Sequence, residues 1–361
     1  MSPGQSKEVL KQAVEKLLRG ELVALPTETV YGLGADAAND QAVARIFAAK
    51  GRPAEHPLIV HVAKNTRLED WAIDIPSIAR KLTDAFWPGP LTLILKKSPR
   101  IPRSVTGGQD TVGIRCPAHP LAQKLLMAFA KAGSGIIAAP SANRFGHVSP
   151  TTAQHVRDEF GDSVMVLDGG ACAVGIESTI LDLSRMKTLK RPVVLRPGAI
   201  TPAMIRAVIG EMPLQPDDIP DGPAAVTTVG PRVSGSLAAH YAPMTPLKLL
   251  NATALQVEMD ALLSMGRRVA VLAFSAKTRV KPSPVGVGVR NARSLVWISA
   301  DGEPASYAQS LYANLRTLDA AQTRVILIEA PPDTPEWEAI NDRLGRAAAG
   351  SGKKLPANKS A

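Results

Sequence analysis

The chain has 361 residues, of which 45% are hydrophobic and 20% are charged, and its formal net charge is +10 at pH 7. This composition excludes a chain that is disordered throughout, and the 28 glycines and 30 prolines follow no period, which excludes a collagen-like or coiled-coil rod. At roughly 100–200 residues per domain, the length predicts two domains, each large enough to bury a core.

The sequence also limits the cellular compartments and the binding partners that can be expected for the chain. No apolar run approaches the ~18 residues of a membrane span, and the N-terminal residues lack the apolar stretch of a signal peptide. The two cysteines, Cys116 and Cys172, are too few for a disulfide framework or a four-thiolate zinc site. We therefore expect a cytoplasmic protein with no membrane partner. The basic excess favours polyanions such as nucleotides or nucleic acid, although many proteins are equally basic without one.

Helical and strand patterns alternate over residues 1–210, which predicts one α/β domain. The apolar spacing predicts helices at 7–19, 40–50, 76–86, 119–131 and 151–159. Short apolar runs predict strands at 21–25, 58–62, 91–95, 112–115, 136–139, 164–167, 179–183 and 193–196.

Residues 211–246 contain seven prolines and almost no apolar period, which indicates a Pro-rich linker. The segment is too long for an ordinary connection inside a compact domain, so it is either a domain boundary or a functional loop. Alternation resumes over 247–350 and predicts a smaller, Rossmann-like domain with a parallel sheet. Its predicted strands are 247–250, 268–274, 295–298 and 324–330, and its predicted helices are 253–264, 305–318 and 335–348. Residues 351–361 are expected to form a flexible polar tail.

Standard signatures of nucleotide and hydrolase sites are missing from the sequence. There is no GxxxxGK(S/T) loop, and Gly32-Leu33-Gly34 lacks both the third glycine of GxGxxG and a helix directly after it. No HExxH, CxxC or GxSxG occurs, so a metal-dependent or serine hydrolase has little support.

Four polar clusters stand at strand or helix ends of the first domain, where α/β proteins build ligand sites. They are PTETVYGLG (26–34), KGRP (50–53), DTVGIRCP (110–117) and APSAN (139–143). The first cluster leaves a buried strand with two hydroxyls and a carboxylate and continues into glycines, Gly32 and Gly34, that are expected to be flexible; it is equally compatible with a capped turn. Lys50 and Arg52 on a stiff turn suit a phosphate clamp, but the dipole of the preceding helix also favours a cation at that end.

The other clusters also have two interpretations. Arg115 ends an apolar strand and needs an anion, which either a ligand carboxylate or a neighbouring Asp would supply. His61 alternates within LIVHV and is either a satisfied core histidine or a ligand contact. In the last cluster, small residues let backbone amides approach a phosphate, and Ser141 and Asn143 add neutral hydrogen bonds.

In this order and spacing, PTETVYGLG, the KxRP turn, PLIVHV, WPGPLT (87–92), DTVGIR, PSAN and ESTI (177–180) resemble the YrdC-like domain family. HYAP (240–243) and the second domain make almost the whole chain similar to the longer, two-domain form of the L-threonylcarbamoyladenylate synthase family. The resemblance implies a twisted α/β domain with a basic concave cleft, plus the smaller Rossmann-like C-terminal α/β domain.

The resemblance further implies a nucleotidyltransferase that forms threonylcarbamoyl-AMP and pyrophosphate from L-threonine, bicarbonate and ATP. Mg²⁺ is expected on the phosphates, held mostly by ATP oxygens and water, so no metal site of the protein's own is expected. The product would feed a downstream threonylcarbamoyl transferase complex that modifies an adenosine beside the tRNA anticodon. Contact with tRNA itself is a further expectation.

Site residues are also implied by the family pattern. Lys50 and Arg52 would be the catalytic residues, because they would hold the triphosphate. The implied ATP pocket consists of Lys50, Arg52, His56, Thr111, Ser141, Asn143, Ser149, Arg196 and Tyr241. The implied threonine pocket consists of Thr27, His61, Arg115, Ala139 and either Ser178 or Thr179, with Arg115 on the carboxylate. Glu28 is a candidate general base, although a structural role in its turn is favoured.

Two positions depart from the family pattern. His56 stands where relatives often carry Asn, which puts its ATP contact in doubt. The segment SGSLAAHY (234–241) is less basic and less aromatic than in many relatives, in which it folds over the cleft as a lid.

Two other functions are compatible with a basic cleft. One is a non-enzymatic RNA-binding or ribosome-associated protein, against which the scarcity of aromatic residues for base stacking argues. The other is a carbamoyl transferase that uses carbamoyl phosphate. Such relatives carry acylphosphatase-like and zinc-finger modules, and this chain with its two cysteines has neither pattern.

Overall fold

A computed structural model describes residues 3–219, 230–274 and 295–352 of the chain. Contacts divide the chain into two compact units, one comprising Met1–Phe145 and Ser149–Ser236, the other Gly146–Val148 and Leu237–Ala361. The first unit thus continues past residue 210 into the Pro-rich segment. Of that segment, 220–229 lie outside the described residues, as do 353–361 of the predicted tail.

The first unit is built on a ten-stranded sheet. Its strands are β1 (Val23–Leu25), β2 (Gly32–Asp36), β3 (Ile59–Val62), β4 (Ala72–Ile73), β5 (Leu91–Lys97), β6 (Thr111–Arg115), β7 (Ile136–Ala138), β8 (Met165–Val166), β9 (Thr179–Asp182) and β10 (Val193–Arg196). Its helices are α1 (Pro3–Leu18), α2 (Asp40–Lys50), α3 (Ser77–Phe86), α4 (Pro120–Ala132), α5 (Ala153–Phe160), α6 (Met186–Leu189) and α7 (Pro202–Ile209). The predicted α/β class is confirmed.

The sheet is mixed, in the order β10-β9-β5-β6-β3-β7-β2-β1-β8, with β4 paired to β5. The β3–β6, β5–β9 and β1–β8 pairs are parallel. The other pairs are antiparallel.

Strand β2 corrects the sequence analysis, which predicted flexible glycines at Gly32 and Gly34. Both lie inside the sheet between β1 and β7. A Cβ atom at Gly34 would lie 2.8 Å from Leu25 Cδ2 and 2.9 Å from Ile137 Cγ2. These glycines therefore permit close packing within a strand rather than flexibility.

Period-two alternation gives the central strands β3, β5, β6 and β9 two different faces. Register pairs Arg115 with both His61 and Thr92, and Thr92 with Ile180, so these side chains share one face. We call this the site face; it carries Ile59, His61, Thr92, Ile94, Thr111, Gly113, Arg115 and Ile180. The opposite face supplies the main core through Val60, Leu91, Leu93, Val112, Ile114 and Leu181.

The second unit contains β11 (Leu247–Leu250), β12 (Val269–Phe274), β13 (Leu295–Ala300) and β14 (Val325–Glu329), with α8 (Ala252–Ser264), α9 (Pro304–Ala320) and α10 (Glu338–Gly350). Its strands form a parallel sheet in the order β11-β14-β12-β13. The sheet packs on its own core, which includes Leu255, Val271 and Leu327. The predicted small parallel sheet is confirmed. Within the described ranges of both units, no helix is long and apolar enough to cross a membrane.

Candidate functional site

Helix α2 delivers Lys50 to the polar loop that follows β7. Asn39 caps the helix by accepting hydrogen bonds from two backbone N–H groups, and Gly51 ends it at a left-handed φ of 62°. Lys50 Nζ donates to the backbone carbonyl oxygen of Ser141 at 2.6 Å and to that of Asn143. The structure thus brings three of the predicted ATP residues together.

The ammonium of Lys50 is buried, with two backbone dipoles as its hydrogen-bond partners. Burial, reinforced by the neighbouring Arg52 charge, holds the pKa of Lys50 well below its usual value. A ligand anion at this position would stabilise the charged form.

Arg52 and Arg196 converge on Ser234, from the segment before the end of the first unit. Arg52 donates to Ser234 Oγ over 3.3 and 3.4 Å, and Arg196 Nη1 donates to the Ser234 carbonyl oxygen at 2.8 Å. Arg196 also donates to the carbonyl and hydroxyl oxygens of Ser178. Two predicted ATP residues and one predicted threonine residue therefore lie in one network.

Residues 230–236 lie against the site face. Val233 packs with Ile94 and Ile180, and Gln109 exchanges hydrogen bonds with the backbone of Arg232. Thr111, at the start of β6, lines the narrow crevice between this segment and the face.

Arg115 is paired with Glu28, which resolves the two interpretations left by the sequence. Its Nη2 donates to Glu28 Oε1 at 2.6 Å, Nη1 donates to Thr29 Oγ1 at 2.8 Å, and Nε donates to the Gly89 carbonyl oxygen. Both partners of this ion pair are buried. The neighbouring acid is a Glu and not the Asp that was considered.

Glu28 is engaged in the structural role that was favoured for it. Its second oxygen, Oε2, accepts a hydrogen bond from the backbone N–H of Ala118 at 2.9 Å, and its backbone carbonyl accepts one from Val174. Thr27 closes the same turn by donating to the Val30 carbonyl oxygen at 2.6 Å, and its hydroxyl lies 2.9 Å from that of Thr29. The turn is thereby joined to Arg115 through Thr29.

His61 lies on β3, and Ala139 directly follows the neighbouring strand β7. Burial, with the nearby Arg115 charge, lowers the pKa of His61 to about 3, so its imidazole is neutral at physiological pH. Its Nδ1 lies 3.2 Å from the Ile59 carbonyl oxygen, which also accepts from the backbone N–H of Ala139.

Ser149 and His56 each have a contact of their own in the first unit. Ser149 Oγ donates to Glu177 Oε1 at 2.6 Å in a buried contact. The ring of His56 meets that of Phe145 edge to face, and burial, followed by the Arg52 charge, lowers the pKa of His56.

Thr179 lies on the core face of the sheet, and Tyr241 is described within the second unit. Thr179 pairs with Leu91 on the core face, and its hydroxyl donates to the Ile200 carbonyl oxygen at 2.7 Å. Tyr241 belongs to the second unit, where it has a left-handed φ of 58°. Its ring packs against those of His240 and Tyr312.

Sequence reasoning missed several polar residues that shape the site. Thr92, whose hydroxyl lies 2.8 Å from Ser178 Oγ, is the most informative. A lone Thr within LTLIL alternates with the core leucines, and that alternation was a usable signal. Glu177 belongs to the ESTI motif but was given no role, and Ser234 carried no comparable signal, because its partners Arg52 and Arg196 are distant in sequence.

The donor set suits anions better than a metal ion. Among the described residues, no group of three or more His, Cys, Asp or Glu side chains could hold a metal. The cations Lys50, Arg52, Arg115 and Arg196 instead alternate with hydroxyls and backbone groups. Such a surface can bind phosphate and carboxylate groups through charge-assisted hydrogen bonds.

Two family models match the chain. The model described as "Telomere recombination", named for Sua5, YciO and YrdC, matches residues 15–198. The model described as "Threonylcarbamoyl-AMP synthase, C-terminal domain" matches residues 200–349.

The chain is also similar along most of its length to two curated proteins called threonylcarbamoyl-AMP synthase. It is 40% identical over 331 residues to the protein of Pyrococcus abyssi, with 91% of each chain covered. It is 39% identical over 346 residues to the protein of Bacillus subtilis, with 94% of this chain and 93% of that protein covered. Among solved structures it is similar to P. abyssi Sua5 complexed with L-threonine, with a TM-score of 0.77, 36% identity and 94% of each chain covered.

Proposed function

The chain belongs to the two-domain family of threonylcarbamoyl-AMP synthases, and from this premise we propose how its first unit holds the substrates. It is an enzyme of the nucleotidyltransferase type that forms threonylcarbamoyl-AMP, and L-threonine is its amino acid substrate. The observation that carries the assignment of sites is the site face. Arg115 and Thr92 are register partners there, and Thr92 leads through Ser178 to Arg196.

Arg115 binds the carboxylate of threonine while its ion pair with Glu28 stays intact. A guanidinium has five N–H groups, and within the described part of the chain three of them donate to Glu28, Thr29 and Gly89. The remaining two are left for the substrate. Thr27, His61, Ala139 and Ser178 border the same position and supply hydroxyl, neutral imidazole and backbone contacts.

Lys50, Arg52 and Arg196 bind the triphosphate of ATP. The bonds from Arg52 to the Ser234 hydroxyl are long at 3.3 and 3.4 Å, so a phosphate oxygen in that place would form shorter, charge-assisted bonds. Ser141, Asn143, Ser149 and Thr111 complete the pocket with neutral groups, and Tyr241 and His56 stay predictions for its edge.

In this proposal the protein accelerates the reaction by positioning the substrates and by stabilising the charge that develops on the leaving group. Threonine and bicarbonate give a carbamate and water, an oxygen of the carbamate attacks the α-phosphorus of ATP, and pyrophosphate leaves with the β- and γ-phosphates. Fixed cations stabilise the charge that moves onto the leaving group, and binding both reactants in one cleft removes the entropic cost of their encounter. No general base is assigned, because Glu28 is held by Arg115 and Ala118.

Mg²⁺ accompanies ATP in this proposal. It neutralises part of the phosphate charge and is held by phosphate oxygens and water, as its preference for several retained waters allows. The proposed partners are ATP, bicarbonate, a downstream threonylcarbamoyl transferase complex and tRNA. The proposed compartment is the cytoplasm, which agrees with two buried cysteine thiols that form no disulfide.

Pyrophosphate release from ATP and Mg²⁺ tests the proposal, measured with and without L-threonine and bicarbonate. We expect release only when both co-substrates are present, and L-serine serves as the matched control for the amino acid. Release that is independent of threonine would point to another acceptor at the same site. No release despite ATP binding would contradict the assignment of the reaction to the chain alone.

A further inference from the structure

A second concave surface lies on the first unit, away from the residues assigned to the reaction. A groove of about 900 Å³ runs between α4, the segment 63–71 and the loop 133–135. None of the side chains that line it belongs to the candidate site. The groove therefore needs its own explanation.

The lining of this groove is basic. It carries Arg67, Arg100, Lys124 and Lys131 against one acidic side chain, Asp70. Arg100 pairs with Asp70 at 3.4 Å and lies over the Trp71 ring, 4.5 Å from its centre. Within the described ranges, the other three cations have no carboxylate at ion-pair distance.

The cations are spaced along the groove rather than gathered at one point. Lys124 and Lys131 are seven residues apart on one face of α4, which places them about 10 Å apart along the helix axis. Met127 and Ala128 lie between them on the groove wall, while Arg67 comes from the facing segment. A small anion would meet one of these charges, whereas a chain of phosphates would meet several.

A smaller hollow of about 530 Å³ extends this groove. It shares Asn65, Thr66 and Arg67 with the groove and adds Lys64 and Arg80, but it also carries Glu69 and Asp84, and Arg80 is paired with Glu69. Its far end is lined by Trp87 and Cys116, and Cys116 is the residue after Arg115. The excess of unpaired positive charge therefore lies in the groove, and the hollow extends the concave surface toward Cys116.

We propose that this groove binds RNA through its phosphate backbone, with Lys124, Lys131 and Arg67 as the main contacts. Cations without carboxylate partners gain most from polyanion binding, because counterions are released from the phosphates. Asn65 and Thr66 add the neutral donors that commonly contact phosphate and sugar. Trp71, the aromatic residue of the groove, is 6% exposed beneath Arg100, so it offers no open face for base stacking and we expect the contact to be independent of sequence. The proposal deepens the tRNA contact of the proposed function and rests on that function.

The test measures binding of a fluorescein-labelled tRNA transcript by anisotropy, with the full chain, at several salt concentrations and with ATP and Mg²⁺ saturating the candidate site. The double variant Lys124→Glu/Lys131→Glu is compared with Lys81→Glu/Arg206→Glu. The control pair is exposed, lies outside the groove and changes the net charge equally. We expect the groove variant to weaken binding at least about tenfold and to reduce the slope of log K against log salt by about 1.5–2. The control should stay within about twofold.

Several outcomes would overturn the proposal. Equal weakening by both variants would show only the effect of net charge, and loss of RNA binding when ATP is added would place the RNA in the candidate site. Undetectable binding to the wild-type chain would reject it outright. Tighter, Lys124-dependent binding of a polyglutamate peptide would assign the groove to an acidic protein instead.

Pyrophosphate release from the same preparations separates this proposal from the synthase reaction. Both double variants should release pyrophosphate like the wild type, because none of the four side chains is assigned to the site. A wild-type chain that binds RNA but releases no pyrophosphate would refute the proposed function and leave the groove assignment standing.

Discussion

A guanidinium has enough donors for two anions, and the proposed threonine contact of Arg115 depends on this. We expect Arg115→Lys to raise the KM for threonine by about tenfold or more, because lysine keeps the charge but loses the fork that serves Glu28 and a substrate carboxylate together. Steady-state pyrophosphate release measures this. The KM for ATP should stay within about twofold, and a larger rise for ATP than for threonine would reject the carboxylate role.

Lys50 makes ATP binding dependent on protons. Because burial and Arg52 lower its pKa, Lys50 in the ligand-free chain loses its proton at a lower pH than an ordinary lysine does, and the triphosphate favours the ammonium form. We expect proton uptake on ATP binding and an ATP affinity that falls as pH rises above that lowered pKa. Calorimetry in two buffers of different ionisation enthalpy counts the protons. The matched variant Lys50→Arg stays charged and should bind without uptake, and uptake that persists in it would contradict the assignment.

His61 is expected to make the free energy of unfolding decrease in acid. Its pKa is about 3 in the folded chain, below the ordinary histidine value of 6.5, so the unfolded chain binds the extra proton between these values. Stability must therefore fall as pH decreases below about 6.5, by up to a few kcal/mol. Urea unfolding at pH 7 and pH 4.5 measures the loss. We expect His61→Gln to lose less stability over this interval than the wild type, and an equal loss in both would remove His61 as a source.

At the scale of elements, the two faces of β6 have different expected roles. Residues on the site face are expected to affect turnover, and residues on the core face are expected to affect stability. A Cβ atom at Gly113 would lie 3.2 Å from Ile94 Cδ1 and 3.4 Å from Thr92 Cγ2. We expect Gly113→Val to fill the floor of the site and lower turnover at least about tenfold. The adjacent Ile114→Val, on the core face, should cost about 0.5–1.5 kcal/mol in unfolding free energy and leave turnover unchanged.

Both turnover and urea unfolding are measured for Gly113→Val and for Ile114→Val. A large loss of activity in Ile114→Val, or no loss in Gly113→Val, would contradict the assignment of faces.

Elements with strong periodicity were predictable, and weaker ones were not. The predicted bounds of β3, β6 and β10 agree with the observed ones within one residue at each end, because short apolar runs mark these strands. Strand β2 was missed, since its glycines also suit a turn and only its neighbours show why a side chain cannot fit. Helix α7 was missed although Thr201 and Pro202 give a normal helix start.

The site was predictable as a set of residues but not as a set of pairs. Lys50 with Ser141 and Asn143, or Arg115 with Glu28, join positions 87 to 93 residues apart. Local sequence cannot give such partners, because the order of strands in the sheet creates them. The choice between Ser178 and Thr179 likewise needed the strand register, which sends the two side chains to different contacts.

For the whole molecule, each sheet has its own core, and damage to one core should stay in its unit. Leu327 is fully buried at the centre of β14. We expect Leu327→Ala to destabilise the second unit by about 2–5 kcal/mol. Hydrogen exchange should rise in β11–β14, while β3, β5 and β6 keep their protection. The reciprocal variant Leu93→Ala should give the opposite pattern, and faster exchange in both sheets from either change would contradict independent cores.

The alternation of β6 also limits how this protein can vary over evolution. Deleting one residue from the strand would exchange its faces, turning Val112 and Ile114 toward the substrates and Gly113 and Arg115 toward the core. Such a lineage would lose folding and catalysis in the same step, so no intermediate with one of the two survives. Changes of specificity must therefore come from substitutions on the site face or from the loops that carry Lys50 and Ser141, while the lengths of the central strands stay fixed.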